Sequence, residues 1–257
     1  MTKVSETFII NPKYRPALER LGLRSAADVF ATSHARVWRS ITERENATID
    51  PADAPRMHLK RDKRRLPPAR SAAAEARGIA VLASHGLPTA TLIAHGTSAD
   101  GRSFAITEDL EGYRPADVAL RAGSSFESLA APLARTAGAM HGHRLFHRDL
   151  YLCHFMVRQA QSGVDVRMID LARVLVRPFF AWRWQTKDLA QLVYSTREFG
   201  VGGAELQIFF EAYAAAAGGR EVTARRRREI ERKVSRIARH DARLHRSQPG
   251  RDVSLQH

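Results

Sequence analysis

At 257 residues the chain can bury a substantial core, as one large domain or as two packed lobes, so a disulfide-dependent miniature is excluded. Hydrophobic residues at 44% and charged residues at 26% exclude a disordered tail, and the single cysteine, Cys153, excludes an internal disulfide. The formal charge of +14 comes from 41 basic against 27 acidic residues, and Arg supplies 35 of the 41. Such a bias suits polyanionic partners, and an Arg-favouring genome accounts for it equally well.

The first ten residues carry Lys3 and Glu6 and no apolar core, so a secretory signal is not expected. Residues 14–31 read as one or two short helices broken at Gly22, an N-terminal extension. Residues 35–42 and 47–50 have the β-branched and aromatic content of a hairpin, and 56–61 makes a further strand. A helix is expected from a Ser71 N-cap to about Ser84, ending at Gly86. Strands at 91–95 and 102–107 then flank Asp100-Gly101, a hairpin signal.

After Glu111-Gly112 the pattern turns helical, with Phe126, Leu129, Leu133, Ala137 and Met140 on one face. This helix leads into Phe146-His147-Arg148-Asp149, then strands at 155–158 and 164–169 around a Ser162-Gly163 turn. Helices resume at 186–199, 203–217 and 223–245. No stretch reaches the roughly 18 apolar residues of a membrane-spanning helix, so membrane contact, if made, is peripheral. A cytoplasmic setting is expected.

His147-Arg148-Asp149 matches the kinase catalytic-loop pattern in which the Asp orients and deprotonates an attacking hydroxyl. Asp170 ends the following hairpin, where a magnesium-binding carboxylate belongs. Upstream, Lys60 on the third strand can reach ATP phosphates, and Glu75 on the next helix can hold that ammonium. Arg61 competes for the lysine's role, but adjacent strand residues face opposite sides. Glu108 to Leu110 follow the fifth strand, where a linking backbone would meet an adenine ring; order alone suggests this, and a solvated loop fits as well. Asp188, near a helix start, suits bracing of the catalytic loop, or simply a first-turn carboxylate favoured by the helix dipole.

The segment Phe146-His147-Arg148-Asp149-Leu150-Tyr151-Leu152-Cys153-His154-Phe155 resembles the catalytic segment of the lipopolysaccharide kinase (Kdo/WaaP) family. Leu21-Gly22-Leu23, Leu59-Lys60-Arg61, Gly86-Leu87-Pro88-Thr89, Ile169-Asp170-Leu171-Ala172 and Lys187-Asp188-Leu189-Ala190 extend the likeness. The resemblance implies an α+β, two-lobed protein-kinase-like fold: an N-lobe antiparallel sheet plus helix (1–110) and a mainly helical C-lobe (111–257). It implies ATP and Mg²⁺ as cofactors and a sugar hydroxyl, heptose or Kdo, of the lipid A-linked lipopolysaccharide core as acceptor. No nucleic acid is expected. A protein or metabolite acceptor on the same fold, and a non-catalytic basic binding module, are the rival readings.

Two departures from the kinase pattern stand out. His154 occupies the place of the Asn that ligates a second magnesium, and imidazole is a poorer magnesium ligand than an amide oxygen. Residues 36–48 lack glycine, so Arg39, Arg44 or the amides of a 43–46 turn would have to cover the phosphates. Cys153 reads as a packed small hydrophobe, and the histidines near it lack the partners of a zinc site. From Arg220 to Arg251 twelve basic residues oppose four acidic ones, with Ile230, Val234, Ile237 and Leu244 as an apolar stripe. Either that stripe packs on the core, or the helix docks on anionic lipid at the inner face of a membrane.

Overall fold

The computed structural model describes residues 5–161, 163–219 and 221–247. Lys3, the Ser162 side of the expected turn, Arg220 and the basic residues from 248 on lie outside them. The chain divides into two compact units, one of Met1–Gly112 with Asp170–Arg173, the other of Tyr113–Ile169 with Val174–His257.

The first unit is built on a six-stranded antiparallel sheet of β1 (Thr7–Ile10), β2 (Arg36–Ser40), β3 (Arg44–Ile49), β4 (Met57–Asp62), β5 (Leu92–Thr97) and β6 (Ser103–Glu108), in the order β1-β5-β6-β4-β3-β2. Five of these strands are expected from the sequence. The sixth, β1, pairs with β5 in the register Thr7↔Thr97 to Ile10↔Ala94, a partnership about ninety residues away that no local pattern announces. The second strand of the first hairpin begins at Arg44, three residues before the expected 47, so 44–46 are ladder residues and the turn is 41–43.

Strand alternation gives the sheet two different faces. On one, Met57, Leu59, Ile49, Phe104 and Ile106 pack with Leu18 of α1 (Arg15–Arg20) and Val29 of α2 (Ala26–Ala31). Ser25 and Asp28 close a reciprocal capping box at the start of α2. The opposite face carries Ala105 and Lys60, which are paired across β6 and β4, and is covered by Ala72 and Ala76 of α3 (Ala72–Ser84).

Asp62 ties α3 to the sheet. Fully buried at the end of β4, it accepts from the Ala72 amide (2.9 Å), the Ser103 hydroxyl (2.6 Å) and Arg44 Nε (3.2 Å). The carboxylate thus satisfies an orphan amide of the first turn of α3, where the helix dipole also favours negative charge.

The second unit opens with β7 (Arg114–Pro115) and α4 (Ala116–Arg121), then α5 (Phe126–Gly142), β8 (Leu145–Phe146), β9 (Phe155–Ala160), β10 (Gly163–Met168) and β11 (Leu175–Val176). It closes with α6 (Ala181–Thr196), α7 (Gly203–Ala216) and α8 (Ala224–Ser247). β10-β9-β7 form one small sheet and β11-β8 another. Gly138 lets α5 meet α7 closely, since a Cβ there would stand 2.6 Å from the Tyr213 carbonyl. The helix expected at 186–199 begins earlier, at Ala181, because Trp182 and Trp184 lie on its first turns rather than in a loop. In α8, Ile230 and Val234 are buried, and Arg226 bonds Thr186 of α6 (3.1 Å) while Asp241 accepts from Tyr194 (2.5 Å). The inner half of the apolar stripe of α8, Ile230 and Val234, packs on the core, while Ile237 and Leu244 are half-buried.

Asp62→Ala strands Arg44, Ser103 and the start of α3 together. It is expected to cost on the order of 3 kcal/mol and to lower the melting temperature by about 5–10 °C, read by calorimetry, whereas loss of an exposed ion pair such as Arg20–Asp53 changes it little.

Candidate active site

In the first unit three sequence-expected residues come together. Lys60 Nζ lies 3.1 Å from Glu75 Oε2 and 3.6 Å from Asp170 Oδ1. Period-two alternation on β4 turns Lys60 toward α3, and Glu75 sits on the first turn of that helix facing the sheet. Arg61, the competing cation, faces the other way: it pairs with Glu45 (2.9 Å) and donates to the carbonyls of Val29 (3.1 Å) and Phe30 (3.3 Å) at the end of α2. Burial pulls the Lys60 ammonium down, but Glu75 and Asp170 outweigh it and hold its pKa above the ordinary lysine value, so the group stays charged.

The other oxygen of Glu75 accepts from the Leu171 amide at 2.9 Å. One carboxylate therefore holds both the lysine and the backbone next to Asp170. Gly78, one turn further along α3, makes that approach feasible, because a Cβ there would meet the Leu171 carbonyl at 2.1 Å. Asp170 itself takes a left-handed backbone (φ 56°), unusual for a residue with a Cβ and costing on the order of 1 kcal/mol, and its side chain remains 43% exposed.

In the second unit the catalytic loop hangs on one polar stripe of α6. Asp188, fully buried, accepts from the amides of His147 and Arg148, both at 2.8 Å, and meets His141 Nε2 at 3.3 Å. Gln191 Oε1 accepts from the Leu150 amide (3.3 Å), and Ser195 Oγ from the Leu152 amide (3.1 Å). Spacings of three and four residues put Asp188, Gln191 and Ser195 on one helix face, so four loop amides, those of His147, Arg148, Leu150 and Leu152, find partners there. Gln191 Nε2 also donates to Asp149 Oδ1 at 3.1 Å, fixing the carboxylate as well as its backbone. Lys187 Nζ bonds the Arg148 carbonyl, and the Arg148 guanidinium lies 4.9 Å over the Trp184 ring, while Arg148 holds a left-handed φ of 70°.

His147 and His154 stack with centroids 5.4 Å apart. His147 Nε2 faces the Ile169 carbonyl (2.9 Å) and His154 Nδ1 faces the Asp149 carbonyl (2.5 Å). Carbonyls only accept, so each of those nitrogens carries a proton. His154 is thereby a buried strut of the loop through Nδ1, which leaves Nε2 as its lone-pair nitrogen, a poorer magnesium donor than oxygen. The exposed, hard-oxygen carboxylate of Asp170 does fit one.

Other sequence-expected residues find different employment. Glu108 ends β6 opposite Met57, and its carboxylate is taken by the Tyr14 hydroxyl, with Lys13 at 3.8 Å. Its amide donates to the Thr91 carbonyl (2.9 Å), and that of Asp109 to Arg56 (2.9 Å), so neither amide offers itself to an adenine edge; Leu110 follows, half-buried. Arg44 is held by Asp62 and the Arg70 carbonyl and is not a phosphate-covering arm. Gln191, Ser195 and Asp62 were not singled out by sequence reasoning. The signal for the first two was buried polar residues continuing at helical spacing from Asp188.

These arrangements define a protein-kinase-like fold, and solved structures agree. The chain superposes on WaaP in complex with acyl carrier protein with a TM-score of 0.71 at 23% identity, covering 91% of this chain and 98% of that one. It matches the amicoumacin kinase hAmiN, in complex with AMP-PNP, Ca²⁺ and Ami, with a TM-score of 0.61 at 14% identity over 86% and 84% of the two chains. Residues 55–213 match the model of the lipopolysaccharide kinase (Kdo/WaaP) family, and the chain belongs to that family. Curated relatives include the lipopolysaccharide core heptose(I) kinases WaaP of Pseudomonas aeruginosa, 32% identical over 57% of this chain and 60% of that protein, and of Escherichia coli, 32% identical over 44% and 47%. The matches thus span about half to three-fifths of those relatives' length.

Gln191→Leu, close in volume, leaves the Leu150 amide unpaired and loosens Asp149. A loss of about 1–3 kcal/mol in urea unfolding is expected, larger than for Gln207→Leu on an exposed helix face. The Lys60 shift sets a pH window. Its folded pKa lies above the unfolded 10.5, so its contribution is complete below that value and is lost as pH rises through the folded pKa. The stability gap between wild type and Lys60→Met should therefore be flat at neutral pH and close only in alkali beyond 10.5, as measured by denaturant midpoints.

Proposed function

We propose that this chain transfers the γ-phosphoryl group of ATP to a hydroxyl of a lipopolysaccharide inner-core sugar, heptose or Kdo. The observation that carries the reading is Lys60 held between Glu75 and Asp170 inside the family-matched segment. A lysine kept charged in a nearly dry setting, beside an exposed carboxylate, is the pairing a metal-bound triphosphate requires.

In this reading Lys60 binds phosphate oxygens, Glu75 orients it, and Asp170 holds the divalent ion. That ion, when bound, supplies charge neutralisation on the phosphates. Leu110 offers backbone to the adenine. Asp149, aimed by Gln191, accepts the proton of the acceptor hydroxyl, while His147 and Arg148 give the loop its shape and Asp188 anchors it. His154 acts through the Asp149 carbonyl and not as a ligand.

In this reading the chain works in the cytoplasm, where ATP is available, and meets its lipid-linked acceptor at the inner face of the inner membrane. Among the described residues no helix is long and apolar enough to cross a membrane.

Incubation with ATP, Mg²⁺ and dephosphorylated core oligosaccharide should release ADP and yield a phosphorylated heptose or Kdo. Asp149→Asn, which preserves shape and removes the base, should cut turnover about 10²–10⁴-fold with nucleotide affinity retained. Equal turnover by wild type and variant, or transfer to peptides alone, overturns the reading.

A further inference from the structure

Three aromatic side chains in the second unit have no place in its core. Phe179 is 100% exposed, Phe180 60% and Trp182 53%, all within the stretch that leads into the first turn of α6. Soluble surfaces rarely show large apolar groups this close together without a partner. Two phenylalanines and a tryptophan left in water forgo the gain that burial would bring, a gain that an apolar partner can supply.

Charge identifies the cover. Between Asp170 and Asp188 the chain holds Arg173, Arg177, Arg183 and Lys187 and no acidic residue. Beside Trp182 a cavity of about 350 Å³ is lined by Thr223, Arg225, Arg226 and Glu229, with Arg226 lying 5.8 Å over the Trp182 ring. Glu229 pairs with Arg225 (3.5 Å) and Arg226 (3.0 Å), which leaves the two guanidiniums together one positive charge in excess. Arg225 remains 86% exposed. Exposed aromatic rings flanked by guanidiniums match the boundary between acyl chains and anionic headgroups, where rings sit at the headgroup level and Arg meets phosphate. An acidic protein would satisfy the arginines but leaves the full exposure of Phe179 without a reason.

We propose that Phe179, Phe180 and Trp182 insert into the surface of an anionic lipid bilayer, with Arg177, Arg183 and Arg225 on its phosphate headgroups. The basic face of α8 then adds long-range attraction, while Ile230 and Val234 of its apolar stripe are buried in the fold. This deepens the lipid-linked acceptor of the proposed function and rests on that reading for its purpose, while its physical test needs neither ATP nor sugar.

The full chain should float with vesicles of phosphatidylcholine and phosphatidylglycerol in equal parts and stay behind with phosphatidylcholine alone. Phe179→Ser/Phe180→Ser should weaken flotation by about ten-fold or more, and Arg225→Glu should weaken it more at low salt than at high. Unchanged thermal melting of both variants shows that they fold. Flotation of the Phe179→Ser/Phe180→Ser variant equal to wild type overturns the proposal, and so does wild-type chain that fails to bind anionic vesicles. A poly-glutamate peptide bound by wild type and released by the Phe179→Ser/Phe180→Ser variant, with vesicle binding intact, would assign the surface to an acidic protein instead. Turnover on delipidated oligosaccharide reports on the kinase reading alone: its absence with flotation intact sinks that reading and leaves this one standing.

Discussion

An ammonium group set under a helix, on a strand whose other face is made of Leu59 and Met57, loses most of its hydration, and nothing apolar can return it. Two carboxylates do: Glu75 at 3.1 Å and Asp170 at 3.6 Å overcome the desolvation and keep Lys60 charged. Removing either leaves a buried ammonium with a single counter-charge, which is why so much local structure serves to keep all three in place. Asp62 fixes the start of α3, Gly78 clears its flank, and Glu75 spends its second oxygen on the Leu171 amide.

The second unit solves a different problem with similar means. A catalytic loop has no ladder of its own, and buried amides without partners are expensive. Asp188, Gln191 and Ser195 supply those partners from a single rigid helix, so the loop inherits the precision of α6. The left-handed backbone at Arg148 is affordable in that setting, because amides on both sides of the carboxylate-bearing residue are pinned.

Much of this was legible in the primary structure. The meeting of Lys60 with Glu75 and Asp170, and the bracing of the His147–Arg148 backbone by Asp188, follow from the order of strands and helices, and strand alternation alone separates Arg61 from Lys60. What stayed hidden was non-local. β1 exists only because β5 offers it an edge, α4 is six residues long, and the three donors of Asp62 come from residues 44, 72 and 103. Arg44 suits a phosphate-covering arm by position, yet Asp62, eighteen residues on, holds it, and the amide of Glu108, suited by order to an adenine edge, donates to the Thr91 carbonyl. Phe179 and Phe180 carried no periodicity to mark them as exposed. Polar residues inside an amphipathic helix face, as at Gln191, are the one missed signal that a reader could have used.

The four residues Asp170–Arg173 belong with the first unit although the chain reaches them only after Tyr113–Ile169. During synthesis, therefore, Lys60 and Glu75 emerge long before Asp170 leaves the ribosome. A nascent or truncated first unit has one counter-charge for its lysine where the finished protein has two, and its α3 flank at Gly78 lies uncovered by Leu171. The full set of charges around Lys60 is thus postponed until the intervening polypeptide has been made, a timing written into the order of the segments themselves.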